Sequence, residues 1–250
     1  MLKTLIATVV ISQLAAPLRA QSLSDRIDPI TNGTVRLSFA ARKGVCGQGD
    51  NSINIGHSSD EWQPDCSPRL VRVALRLGGR RVQSVRTYVG GEWIPDPRVM
   101  DLGTVSSPEA ARYFIALAQD TGARISNDKD LLLPAVLADS ITVWPSLVNI
   151  ARSSRASEGL RRRAVFWLGQ AASEAAGLAL DSIASDDRRD REVRKQAIFA
   201  LSQRSTGEAV PALMRIARSN DDPELRKTAL FWLGQSEDPR AVAVFEEILK

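Results

Sequence analysis

The chain has 250 residues, with 33 Lys and Arg against 29 Asp and Glu, one His and two Cys. Charges of both signs are interspersed, so the high basic count is a solvated surface and not the one-sided stripe that nucleic-acid binding needs. Any Ser-His-Asp or Cys-His mechanism would have to use His57, and no G-x-S-x-G, phosphate-binding glycine loop or dinucleotide fingerprint accompanies it.

Met1–Ala20 has the layout of a secretory signal peptide. Lys3 gives a positive start, Leu5–Leu14 an apolar core too short to span a bilayer, and Leu18-Arg19-Ala20 a cleavage site before Gln21. The expected product is exported, periplasmic or extracellular, with no membrane span. Removing Lys3 and Arg19 leaves 31 basic against 29 acidic residues.

Residues 21–33 are polar with Pro29 and read as a linker. Val35–Ala40 alternates, with Val35, Leu37 and Phe39 on one face, and Leu70–Leu77 alternates again before Gly78-Gly79 and Arg80–Val89. Two alternating runs around a double glycine predict a hairpin, because glycine takes positive φ at both turn positions at little cost. Residues 34–94 are therefore expected to form a small β-rich domain that leans on the first helices.

Cys46 and Cys66 flank a loop rich in Gly, Asn and Ser. In an oxidising compartment such a pair is expected to form a disulfide, which for a loop of about 20 residues removes roughly 3 kcal/mol of chain entropy from the unfolded state. The alternative is a metal site: His57 lies between the cysteines, near Asp50, Asp60 and Asp65. The spacing matches no usual zinc pattern, which brings cysteines in close pairs.

Residues 95–107 read as a connector, and Ser107-Pro108-Glu109 as a helix start with Ser107 capping. The helix Glu109–Gln119 aligns loosely with the stretch Glu158–Gln170, Leu117 and Gln119 standing for Leu168 and Gln170. An insertion, Thr121–Asp130, and an apolar helix Leu131–Asp139 lie between the two.

From there the chain repeats. Arg161–Gln170 (RRRAVFWLGQ) recurs at Arg194–Gln203 and Arg226–Gln235, at offsets of 33 and 32. A second set, Leu147, Leu180, Leu213 and Phe245, with Ile150, Ile183, Ile216 and Ile248, keeps the same period. A fixed period of this length marks a stacked-repeat array. Each unit reads as two helices. Leu160, Ala164, Trp167, Leu168 and Ala171 share a face of the first, and Leu213, Ile216 and Ala217 form the stripe of the second. Asp222-Pro223 is a helix start. One pair cannot bury its apolar face alone, so neighbours must stack, which predicts a mainly α fold: a short α-solenoid after a small β-rich domain. The array spans 108–250, degenerate over 108–153 and clear over 158–187, 191–220 and 222–250, with Glu246, Glu247 and Lys250 making its end polar.

Asp-Pro-Glu-Leu-Arg at 222–226, Ala-Leu-Phe-Trp-Leu-Gly at 229–234 and Asp-Pro-Arg-Ala-Val at 238–242 resemble HEAT-like repeats of the phycobilisome-lyase (E-Z) type. The resemblance covers roughly the last 90 residues and weakens back towards Glu109. It implies scaffolds, lyases or hydroxylases. The hydroxylases hold iron with repeated His-Glu pairs, which these repeats lack; a bilin lyase would imply a tetrapyrrole.

Two ladders are candidate partner-binding residues. Arg161, Arg194 and Arg226 would either face an acidic partner or pair with loop acids such as Asp187, Asp221 and Asp222. Phe166, Phe199 and Phe231, beside Trp167 and Trp232, would either line a peptide groove or pack between repeats. The structural reading is preferred for both. The expected function is a non-enzymatic scaffold or adaptor for a protein partner, without cofactor. A metal-binding or enzymatic role of the Cys46/His57/Cys66 loop and a bilin-lyase-like role are the alternatives.

Overall fold

A computed structural model of the chain describes residues 21–47, 49, 53–55, 70–121, 130–171 and 173–248. Residues 1–20, where the signal peptide is expected, His57, Cys66 and residues 122–129 of the insertion Thr121–Asp130 lie outside the described residues.

The N-terminal part is built on a sheet. Strands β1 (Gly33–Ala40), β4 (Leu70–Gly78), β5 (Arg81–Val89) and β6 (Val99–Thr104) lie in the order β5-β4-β1-β6, and β2 (Val45–Gly47) and β3 (Ile53–Ile55) form a separate hairpin. Val35, Leu37 and Phe39 oppose Leu75, Val73 and Val71, giving one apolar face. The alternation thus produces the buried layer it predicts. The tight turn sits one residue later than the glycines imply: Gly78 pairs with Arg81, and Gly79 and Arg80 take the positive φ, at 59° and 62°. Gly78 sits under the Gln83 side chain, which would have to swing aside for a Cβ there. A bulge beside Leu77 brings Gln83 across, and a Cβ on Gly78 would lie 2.1 Å from the Gln83 side-chain Nε2 as it is placed.

Two boundaries differ from those the sequence pattern implies. The linker carries helix α1 (Leu23–Ile27), capped by Ser22, with Leu23 and Ile27 buried in the core. The connector carries β6, which pairs in parallel with β1, so the sheet does not end at residue 94. Gly90 and Gly91, both at positive φ, start the crossover from β5 to β6. Its Trp93 covers the outer face of the sheet, stacked by Arg72 at 4.7 Å and Arg36 at 5.3 Å and donating to Ser38 Oγ at 3.2 Å. Strand β6 is short and has no alternation, so pattern reading misses it.

Helix α2 (Ser107–Thr121) belongs to this sheet and not to a degenerate first repeat. Phe114 meets Phe39 at 6.4 Å, and Ser107 donates its hydroxyl to the Ala40 carbonyl at 2.9 Å, which ties the start of the helix to the end of β1. The apolar helix expected over 131–139 is the short α3 (Leu133–Leu137), beyond which Ala138 bridges to Ala41.

The helical array comes next: α4 (Trp144–Arg152), α5 (Glu158–Gly169), α6 (Glu174–Ser185), α7 (Arg191–Ser202), α8 (Thr206–Ser219), α9 (Pro223–Gly234) and α10 (Pro239–Ile248). First helices α5, α7 and α9 stack on one another, as do second helices α4, α6, α8 and α10. Leu147, Leu180 and Leu213 with Ile150, Ile183 and Ile216 are buried, and Phe245 is half-buried. Asp222 caps α9 through the Glu224 amide at 2.9 Å, with Pro223 in the first turn. The regular array therefore begins with a lone second helix, α4.

Candidate interaction face and interdomain cleft

The arginine ladder points into the joints between units. Arg194 is buried; it donates to the Ala184 carbonyl and to Asn220 Oδ1, both at 3.1 Å. Arg161 donates to the Ala156 carbonyl and to Asp190. Arg226 donates to the carbonyls of Asn220 at 2.6 Å and Asp221 at 3.2 Å. Arg161 and Arg226 fix the loop that precedes their own helix, Arg194 holds the end of α6, and Arg161 and Arg194 also reach the next unit. The partners are mainly carbonyls, Asp190 and Asn220. Asp222 instead pairs with Arg191, whose hydrogen bond holds that carboxyl below the usual range, and Asp186 is pulled down likewise by Arg188 and Arg189. The sequence could not choose these partners because several acids and amides share each loop.

The phenylalanine ladder lies on the outer side of the first helices. Phe231 is 58% exposed and Phe166 37%, whereas Phe199 is half-buried against Trp232 at 5.2 Å. Trp167 and Trp232 lie beneath, edge-on to Phe166 at 4.9 Å and to Phe231 at 5.0 Å. The tryptophans pack; the phenylalanines cover them and still face solvent. One turn before each Phe stands a base paired within its own helix: Arg162 with Glu158, Lys195 with Glu192 and Lys227 with Glu224. These pairs leave little net charge along the ladder, so what the face offers is aromatic. The second-helix side differs. Arg152 donates to Ser182, Arg215 pairs with Asp181 and Arg218 with Glu247, so polar contacts run between successive second helices.

A second feature lies where the sheet meets the array. Arg42, just past β1, Val136 of α3, Ile141–Trp144 and Leu147 leading into α4, and Trp167, Gln170, Ala171 and Ser173 at the α5–α6 turn line a cleft of about 190 Å³. Nearby, Asp130 accepts from Trp167 Nε1 and the Leu132 amide and lies 3.7 Å from Arg163, tying the insertion's end to α5; its burial raises the carboxyl pKa. No motif announces this cleft, because its residues come from four separate stretches.

Among the described residues no cluster of His, Cys, Asp and Glu could hold a metal, no cysteine is free, and no helix is long and apolar enough to cross a membrane. Cys46 sits in β2 opposite Asn54.

A sheet-and-helix N-terminal part followed by stacked helix pairs places the chain among helical-repeat proteins. Residues 178–250 match the family model of HEAT repeats, so this stretch of the array is similar to HEAT repeats. No curated protein matches the chain.

Proposed function

We propose that the protein is a non-enzymatic scaffold or adaptor that is exported and holds a protein partner on the first-helix face of a short solenoid. HEAT-like repeats offer extended surfaces suited to protein partners. The observation that carries the reading is the placement of Phe166 and Phe231 at equivalent positions, both solvent-facing, beside self-paired charges. Aromatic side chains exposed in register are the usual anchors of an interface. The phycobilisome-lyase resemblance enters this reading only as a repeat architecture.

Site-specific photocrosslinking in the producing cell tests the face. With p-benzoylphenylalanine at position 166 or 231, a discrete protein adduct is expected, whereas position 178, exposed on the second-helix side as Leu178, gives none. Adducts at 178 alone, or none at 166 and 231, would overturn the assignment.

Export and the Cys46–Cys66 disulfide belong to the same proposal, with Gln21 as the first mature residue. Intact mass is expected to show loss of residues 1–20, and reduction to add the mass of two hydrogens. An unprocessed chain with two free thiols would defeat both.

A further inference from the structure

The cleft between the sheet and the array holds a cation, Arg42, that has no counter-charge among the described residues. Among the described residues Arg42 makes no ion pair, and its Nε is buried with no hydrogen-bond partner. Burial pulls its guanidinium below the usual arginine value, and no acid among the described residues offsets this. Arg42 is half-buried, and a buried donor such as its Nε costs free energy until something accepts from it. The backbone around it is fixed. The Arg42 amide donates to the Leu137 carbonyl at 2.8 Å. Across the cleft, Arg204 donates to the carbonyls of Ala171 at 2.7 Å and Ser173 at 2.9 Å and so holds the α5–α6 turn. Ser173 is the N-cap residue of α6, yet its hydroxyl makes no capping bond. Trp144, Trp167, Val136 and Leu147 supply apolar wall.

We infer that this cleft binds a monocarboxylate bearing an apolar group, with Arg42 as its counter-charge. Charge selects the class: one guanidinium balances one carboxylate and can hold it through two parallel hydrogen bonds, whereas a phosphate dianion would leave a charge uncompensated against indole walls. Size selects the scale, since about 190 Å³ is below the roughly 300 Å³ at which pockets take cofactors and suits a group the size of one amino acid. The Ser173 hydroxyl, at the start of α6, is a further donor on the opposite wall. The ligand is a free acid or the C-terminal carboxylate of a polypeptide; both present the same chemistry. Neither Phe166 nor Phe231 lines the cleft, so this inference stands apart from the proposed partner face.

Calorimetric titration of the purified protein tests it with four probes: N-acetyl-phenylalanine, its neutral amide, inorganic phosphate, and a short peptide ending in phenylalanine with a free carboxylate. Saturable binding of the acid is expected, with the amide roughly tenfold or more weaker for loss of the charge-assisted pair. Arg42→Gln should cause a loss of similar size without lowering the thermal midpoint, because it removes a half-buried charge that has no partner among the described residues. Tighter binding of the peptide assigns the site to a chain end, and equal binding to a small free acid. Equal affinity for acid and amide, preference for phosphate, no saturable binding of either carboxylate, or unchanged binding by Arg42→Gln overturns the inference. The acid–amide comparison is made on the unaltered protein and so stands even if the variant fails to fold.

Discussion

Arg194→Ala is expected to destabilise the protein by about 3 kcal/mol, the largest loss from any single side chain on the arginine ladder. Arg194 is 7% exposed and joins the end of α6, through the Ala184 carbonyl, to the loop before α9, through Asn220 Oδ1. Hydrogen bonds from a charged donor contribute roughly 1.5–3 kcal/mol each, and their loss leaves buried acceptors short of a partner. Asn220 offsets part of this: its Oδ1 still accepts from the Asp222 amide at 3.0 Å, and its Nδ2 lies 3.4 Å from the Ala184 carbonyl. Arg194→Lys should recover little, since an ammonium cannot reproduce the fork that spans the two acceptors. The comparison is Arg162→Ala, an exposed residue 3.9 Å from Glu158, which should change stability by about 0.5 kcal/mol or less. Urea unfolding followed by both tryptophan fluorescence and far-ultraviolet circular dichroism measures the difference. Equal midpoints for Arg194→Ala and Arg162→Ala would refute the account.

Gly169→Ala and Gly234→Ala should move stability in opposite directions although both glycines end a Trp-Leu-Gly run on a first helix. A Cβ on Gly169 would lie 2.9 Å from the Ala200 Cβ, 3.3 Å from its Cα and 3.4 Å from its carbonyl oxygen. These atoms belong to α7 and are mostly backbone, so the helices must separate; overpacking of this kind costs about 1–3 kcal/mol. Alanine's better helix propensity returns only about 1 kcal/mol. At Gly234 the nearest atom among the described residues is Phe245 Cζ at 3.7 Å, an ordinary contact, so the propensity gain of up to about 1 kcal/mol stands alone. Thermal unfolding of the two variants side by side checks the sign. A destabilised Gly234→Ala together with a neutral Gly169→Ala would show that the closeness of α5 and α7 is not what Gly169 serves.

The pair also shows where sequence reading stops. The repeat at Arg161, Arg194 and Arg226 reveals that these positions are equivalent, but not that Arg194 is the buried one while Arg226 serves its own loop. Gly169 and Gly234 are likewise indistinguishable in sequence, because each clash depends on a neighbour one repeat away. The phenylalanines repeat faithfully, yet Phe199 is half-buried against Trp232 and Phe231 is exposed, because among the described residues no further first helix covers α9.

By itself the sequence determined the helix pairs, their period, the buried Leu and Ile stripes and the alternating strands β1, β4 and β5, since each arises from local periodicity and from the need to bury one face. Only the tertiary structure decided that α1 and α2 belong to the sheet, that β6 closes its edge beside β1, that the arginines bind carbonyls more than acids, and that Arg42 faces a cleft with no counter-charge among the described residues. Those features join residues far apart in the chain, and strand pairing, burial and electrostatic neutralisation at such joints are set by what lies across the gap, which a one-dimensional pattern does not record.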